Sequence, residues 1–135
     1  MRQDGPSDGA RSPGAALRRA LTRLVSTDDE LRAAELRHDA ADLGCEPIGR
    51  CAERARVTVH GTLKTVTLQP RAGVPALEAE VYDGTGTLAL VWLGRRRIAG
   101  IEPGRALSAH GRVAVIDDRR VMFNPTYELS PAGPG

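Results

Sequence analysis

Two seven-residue stretches of this chain are near-copies of one pattern: Val57-Thr58-Val59-His60-Gly61-Thr62-Leu63 and Leu107-Ser108-Ala109-His110-Gly111-Arg112-Val113. Each alternates apolar with polar residues, as a half-buried strand does. Each also carries a glycine where a strand bends or another backbone comes close. Between them, Val81-Tyr82-Asp83-Gly84-Thr85-Gly86-Thr87-Leu88 has a turn sequence flanked by alternating residues, the signal of a hairpin. Residues 56–130 are therefore expected to form one small closed β-barrel of five strands.

The first strand runs from Arg56 to Gln69. Val57, Val59, Gly61 and Leu63 share one parity, and Val66 and Leu68 the other, so a bulge is expected near Lys64 and Thr65. In the second strand Leu77, Ala79 and Val81 point inward, opposite Glu78, Glu80 and Tyr82. The third strand, Thr87 to Leu93, places Leu88, Leu90 and Trp92 inside and Ala89, Val91 and Leu93 outside. The fourth ends at Ile116, Asp117-Asp118-Arg119 supplies a hairpin loop, and the fifth runs from Arg120 to Leu129. Phe123 shares parity with Val121 and is expected in the core. Pro125 cannot donate to a ladder, so it belongs at an edge or bulge.

Residues 1–13 are rich in Gly, Pro, Ser and Asp without periodicity and read as a disordered tail. Residues 14–55 read as a helical extension of two short helices. Leu17, Leu21, Leu24 and Val25 share one face of the first. Thr27-Asp28-Asp29-Glu30 has capping-box form and opens the second. That helix carries Ala33, Leu36, Ala40 and Leu43 and stops at Gly44. Residues 131–135 read as a flexible tail.

With 41% hydrophobic residues the chain can fill one modest core. Nine basic and ten acidic residues up to Ala55 leave −1, and ten basic and seven acidic residues after it leave +3, so the barrel holds the positive excess. That balance suits a weak polyanion binder. No apolar run reaches a membrane span and the first residues lack an apolar signal core, so a cytoplasmic protein is expected. Cys45 and Cys51 have five residues between them and no second pair, a poor match to a zinc site. They are expected as free thiols. No Ser/His/Asp spacing, carboxylate pair or metal cluster stands out, so neither catalysis, a metal nor a cofactor is expected.

The strand motifs, together with Asp83-Gly84-Thr85-Gly86-Thr87-Leu88-Ala89-Leu90, Pro103-Gly104 and Asn124-Pro125-Thr126-Tyr127-Glu128, resemble the OB-fold wedge domain of RecG-type helicases. The whole chain is similar to small stand-alone OB-fold proteins of high-GC Gram-positive bacteria. The resemblance covers residues 56 to 129. It implies an all-β fold, a five-stranded OB-fold Greek-key barrel with two short N-terminal helices in front. It also implies a DNA-binding or RNA-binding role without catalysis, since no Walker-type phosphate loop is present.

Carried over, the resemblance lays a single strand across the second and third strands, between the 1–2 and 4–5 loops. Lys64 and Arg71 fall near the first loop, and Arg119 and Arg120 near the second. Arg95, Arg96 and Arg97 form the densest basic cluster, and Tyr82 is the one ring on that face able to stack a base. The expected partner is DNA or RNA, bound weakly and without sequence preference. Glu78 and Glu80 oppose this, because they sit on the same face and repel phosphates. The alternative is a protein-interaction or adaptor module, or a homo-oligomer, using Glu78, Glu80, Ala89, Val91 and Leu93 with the N-terminal helices.

Overall fold

The computed structural model describes residues 13–131, with side chains described from residue 27. Residues 1–12 and 132–135 lie outside it, and with them all but Pro13 and Pro131 of the predicted disordered and flexible tails. The chain divides into two units, Met1–Arg32 and Ala33–Gly135. Among the described residues no helix is long and apolar enough to cross a membrane.

One helix, α1 (Pro13–Asp42), replaces the two expected. It runs through Ser26 and the Thr27-Asp28-Asp29-Glu30 box without a break. Extending a helix adds a hydrogen bond per residue, whereas restarting one repeats the unfavourable nucleation step, so a local cap signal inside good helix formers is overridden. The helix stops where the sequence predicts. Gly44 has φ +71°, its amide donates to the Ala41 carbonyl at 3.0 Å, and the Cys45 amide reaches back to Ala40 at 3.0 Å. These two bonds are a Schellman ending.

Seven strand segments follow: β1 (Arg56–Leu68), β2 (Ala76–Tyr82), β3 (Thr87–Leu93), β4 (Ala106–Arg112), β5 (Ala114–Ile116), β6 (Arg119–Phe123) and β7 (Thr126–Leu129). They form one sheet in the order β5-β6-β3-β2-β1-β4-β7, so its ladder does not close into the barrel that was expected. The count exceeds five because Val113 interrupts the predicted fourth strand and Asn124-Pro125 the predicted fifth. Pro125 lacks the N–H a ladder needs, and Asn124 sits at φ +49°. All pairs are antiparallel except β3 with β6, where Ala89, Leu90 and Val91 face Val121, Met122 and Phe123. The predicted bulge is present, with register slipping between Leu63 and Thr65.

Inward parity is largely as read. Val59, Leu63, Val81, Leu88, Leu90, Trp92 and Leu107 belong to one buried cluster. Trp92 Nε1 donates to the Pro125 carbonyl at 3.2 Å. Gly61 allows β1 to cross close beneath β2, since a Cβ there would collide with the Tyr82 carbonyl. Gly111 makes room for Met122 in the same way, a Cβ meeting its Cγ at 2.8 Å. Met122, not Phe123, enters the core.

Asp83 is fully buried and organises the β2–β3 turn. Its Oδ1 accepts from the Thr85 amide at 2.8 Å, the Thr85 hydroxyl at 2.6 Å and the Gly86 amide at 3.1 Å. Its Oδ2 accepts from the Ile48 amide at 2.8 Å. The β2–β3 turn is thereby tied to the 3-10 turn Ile48–Arg50, whose Ile48 side chain is buried in the core.

Candidate functional site

The outer face of β2 and β3 carries alternate residues from each strand. Tyr82 pairs with Thr87, Glu80 with Ala89, Glu78 with Val91 and Ala76 with Leu93, and β6 adds Val121 and Phe123 alongside. Six residues of strand rise make this face about 20 Å long. At its Tyr82 end a cleft of about 540 Å³ is lined by Lys64, Thr65, Glu80, Thr87, Ala89, Asp118, Arg119 and Arg120. Three predicted cations from two distant chain positions therefore meet in one place. The β1 bulge sets Lys64 there. The β5–β6 hairpin sets the other two through a tight turn in which Asp117 and Asp118 both have positive φ.

These cations are not equally available. Lys64 Nζ stands 4.6 Å from the centroid of the Tyr82 ring, a cation–π contact that leaves the ammonium exposed. Arg119 Nη2 lies 3.1 Å from Glu78 Oε2 and 3.5 Å from Glu80 Oε2. Arg120 is a tether. Its Nε donates to the Cys51 carbonyl and its Nη2 to the Gly49 carbonyl, both at 3.1 Å, which fixes the β6 strand to the segment before β1.

Arg71 reaches the same face from the β1–β2 loop. Its Nη2 donates to Glu78 Oε1 at 3.0 Å, and its guanidinium lies 5.5 Å from the centroid of the Phe123 ring. Glu78 is thus held between two arginines and is 8% exposed. Burial pushes its carboxyl up, but hydrogen bonds from Arg119 and Arg71 and their charge outweigh that, so its pKa lies below the usual glutamate value. The repulsion expected from Glu78 is largely neutralised within the protein. Arg95, Arg96 and Arg97 sit elsewhere, in the exposed turn beyond Leu93 at the opposite end of β3.

Two expectations for this face are overturned. Ala89 and Val91 do not form an open apolar stripe: with Ala76 and Val121 they make a second buried cluster, 2% exposed or less. The Ala89/Val91 part of the proposed protein-docking face is therefore occupied by the chain's own side chains. Phe123, read as core, is 38% exposed. Because β6 lies parallel to β3 with Phe123 against Val91, its ring takes the outer face and supplies the aromatic group the sequence reading missed. The parity of Val121 and Phe123 was legible, but which side it faced was not.

His60 and His110 sit on the β1–β4 ladder, each opposite a hydroxyl. His60 Nδ1 and Ser108 Oγ share a hydrogen bond of 3.0 Å, and His110 Nδ1 and Thr58 Oγ1 one of 2.8 Å. Among the described residues no three His, Cys, Asp or Glu side chains gather as metal ligands. Cys45 and Cys51 are free thiols, and burial pushes both above the ordinary thiol value. Compared with known proteins, the chain matches no family model and no curated sequence.

Proposed function

We propose that this chain is a five-stranded OB-like fold of the RecG-wedge kind, its sheet bent but not closed, acting in the bacterial cytoplasm as a non-catalytic nucleic-acid-binding module. The fold reading rests on continuity across the two interruptions. β4 and β5 are separated by one residue, and β6 and β7 by two, so seven segments read as five strands of which two are sharply bent. The same hairpin thereby serves both sides of the sheet, β4 pairing with β1 and β6 with β3. OB folds bind oligonucleotides on the face described above.

The observation that carries the functional reading is the convergence of Lys64, Arg119 and Arg120 on one cleft beside Tyr82. A backbone phosphate placed there meets Lys64 and the free donors of Arg119. A base meets Tyr82 at this end or Phe123 at the other, each stack contributing about 1–3 kcal/mol. Glu80 and Asp118 line the same cleft and hold the affinity down. Weak, sequence-tolerant binding of single-stranded or structured DNA or RNA follows.

Fluorescence anisotropy with labelled single-stranded DNA and RNA at low salt tests this. The expected dissociation constant is about 10⁻⁴–10⁻⁶ M, with log affinity falling linearly against log salt by about 0.7 per phosphate contacted. Absence of saturable binding, or binding indifferent to salt, overturns the proposal.

A further inference from the structure

The outer face of β1, β4 and β7 is a separate surface that the nucleic-acid reading does not use. Arg56 stands directly opposite Arg112, Thr58 opposite His110 and His60 opposite Ser108, while His110 and Ser108 also face Thr126 and Glu128 of β7. Directly opposed residues hold their Cβ atoms about 4.5–5.5 Å apart, and like charges at that spacing destabilise a sheet. Among the described residues neither guanidinium has a carboxylate within ion-pair distance. Arg112 Nη1 donates to the Arg54 carbonyl at 3.2 Å, which leaves the rest of its fork open. Glu53, beside Arg54, and Glu46, whose amide donates to the Thr58 carbonyl at 2.8 Å, pair with neither arginine.

Two residues along the strands, about 7 Å away by strand rise, lies the bonded Thr58–His110 pair. It lines a groove of about 210 Å³ together with Ser108, Thr126, Tyr127 and Glu128. The surface is therefore graded, with guanidiniums at one end, hydroxyls and an imidazole between, and a carboxylate at the other.

We infer that this face binds a phosphate ester with a hydroxylated body, the phosphate bridging Arg56 and Arg112 and the hydroxyls meeting Thr58, Ser108 and Glu128. A guanidinium fork matches phosphate oxygens bidentately, and one phosphate between two forks removes their repulsion. Glu128 accepts from a sugar hydroxyl and rejects a second phosphate. A free nucleoside monophosphate and the phosphorylated 5′ end of a nucleic-acid strand offer the same chemistry.

The test follows thermal unfolding and ¹H–¹⁵N spectra of the full chain with adenosine monophosphate, inorganic phosphate, and a thymidine oligomer with and without a 5′-phosphate. Adenosine monophosphate is expected to raise the midpoint, as any ligand of the folded state does, and to shift the Arg56, Thr58, His110 and Arg112 signals. Inorganic phosphate should bind about tenfold more weakly, for want of hydroxyl contacts. In Arg56→Gln/Arg112→Gln the response disappears while the unliganded midpoint holds or rises, because a repelling pair has gone. Arg119→Gln, on the other face, keeps it. Should the double variant not fold, Thr58→Val serves instead and must weaken adenosine monophosphate about tenfold. A response to the oligomer only when 5′-phosphorylated assigns the strand end as source, and a response to the mononucleotide alone assigns the free ester. Equal binding of inorganic phosphate, survival of the response in the variants, or no shift at ~10 mM ligand overturns the inference. Oligomer binding through Lys64 and Arg119 without any of these shifts removes this site and leaves the proposed function standing.

Discussion

Arg119 and Glu78, 41 positions apart in the chain, meet at 3.1 Å across the outer face of the sheet. Glu78 also receives Arg71 at 3.0 Å, so a carboxylate at the centre of β2 joins the β1–β2 loop to the β5–β6 hairpin. Two of the arginines that the resemblance assigns to nucleic acid, Arg71 and Arg119, are thus partly spent inside the protein.

Replacing Glu78 with glutamine frees most of that charge. Glu78→Gln is expected to raise affinity for single-stranded oligomers and to steepen the salt slope by up to about 0.7 for each arginine released to a phosphate. The accompanying loss of stability should be about 1 kcal/mol, since a carboxylate bonded by two guanidiniums becomes a neutral amide with a single acceptor oxygen. Anisotropy across a salt series, with urea unfolding in parallel, reads both quantities. Unchanged affinity would separate these arginines from the binding surface.

Acid should remove what the Glu78 pairs contribute. The unfolded side chain titrates near about 4.3, and the folded one lies lower. The contribution is therefore complete above the unfolded value and is lost as pH falls through the folded one. The stability gap between the wild type and Glu78→Gln should close below about pH 4. A gap that is flat with pH argues that the carboxylate form contributes nothing.

His60 acts in a higher window. Burial lowers its pKa, with Asp39 partly offsetting this, so the unfolded chain takes up the proton first as pH falls below about 6.5. Stability is then highest above that value and declines from there towards the folded pKa. His60→Gln is expected to flatten the urea midpoint between pH 7 and 5, and equal slopes in the two proteins would dismiss the effect.

Asp83→Ala leaves four donors, including the Ile48 and Gly86 amides, without their acceptor at a fully buried position. A loss of at least about 3 kcal/mol is expected from several buried charge-assisted bonds. The single tryptophan, Trp92, offers a fluorescence signal for the unfolding measurement. A loss below about 1 kcal/mol would mean that water replaces the carboxylate.

Arg120 and Lys64 line one cleft but should behave oppositely. Arg120→Gln breaks the bonds to the Gly49 and Cys51 carbonyls and should lower stability by about 1–3 kcal/mol. Lys64→Gln should leave stability within about 0.5 kcal/mol and weaken oligomer binding. Chemical denaturation and anisotropy on the two variants check the contrast, and a reversed pattern refutes the assignment of Arg120 as a tether.

The breaks at Val113 and Asn124-Pro125 were not legible in the sequence, whereas the first three strands, the bulge at Lys64, the Gly44 helix stop and the inward set from Val59 to Trp92 were. Each depends on a period of two or on a turn residue, and such preferences act between near neighbours. The burial of Ala89 and Val91, the exposure of Phe123 and the capture of Arg71 and Arg119 by Glu78 were decided only in the tertiary structure. They depend on β6 lying parallel to β3, and on loops far apart in sequence closing over one face. Alternation separates two faces of a strand, but only the neighbouring chain determines which of them is covered and which charges it meets.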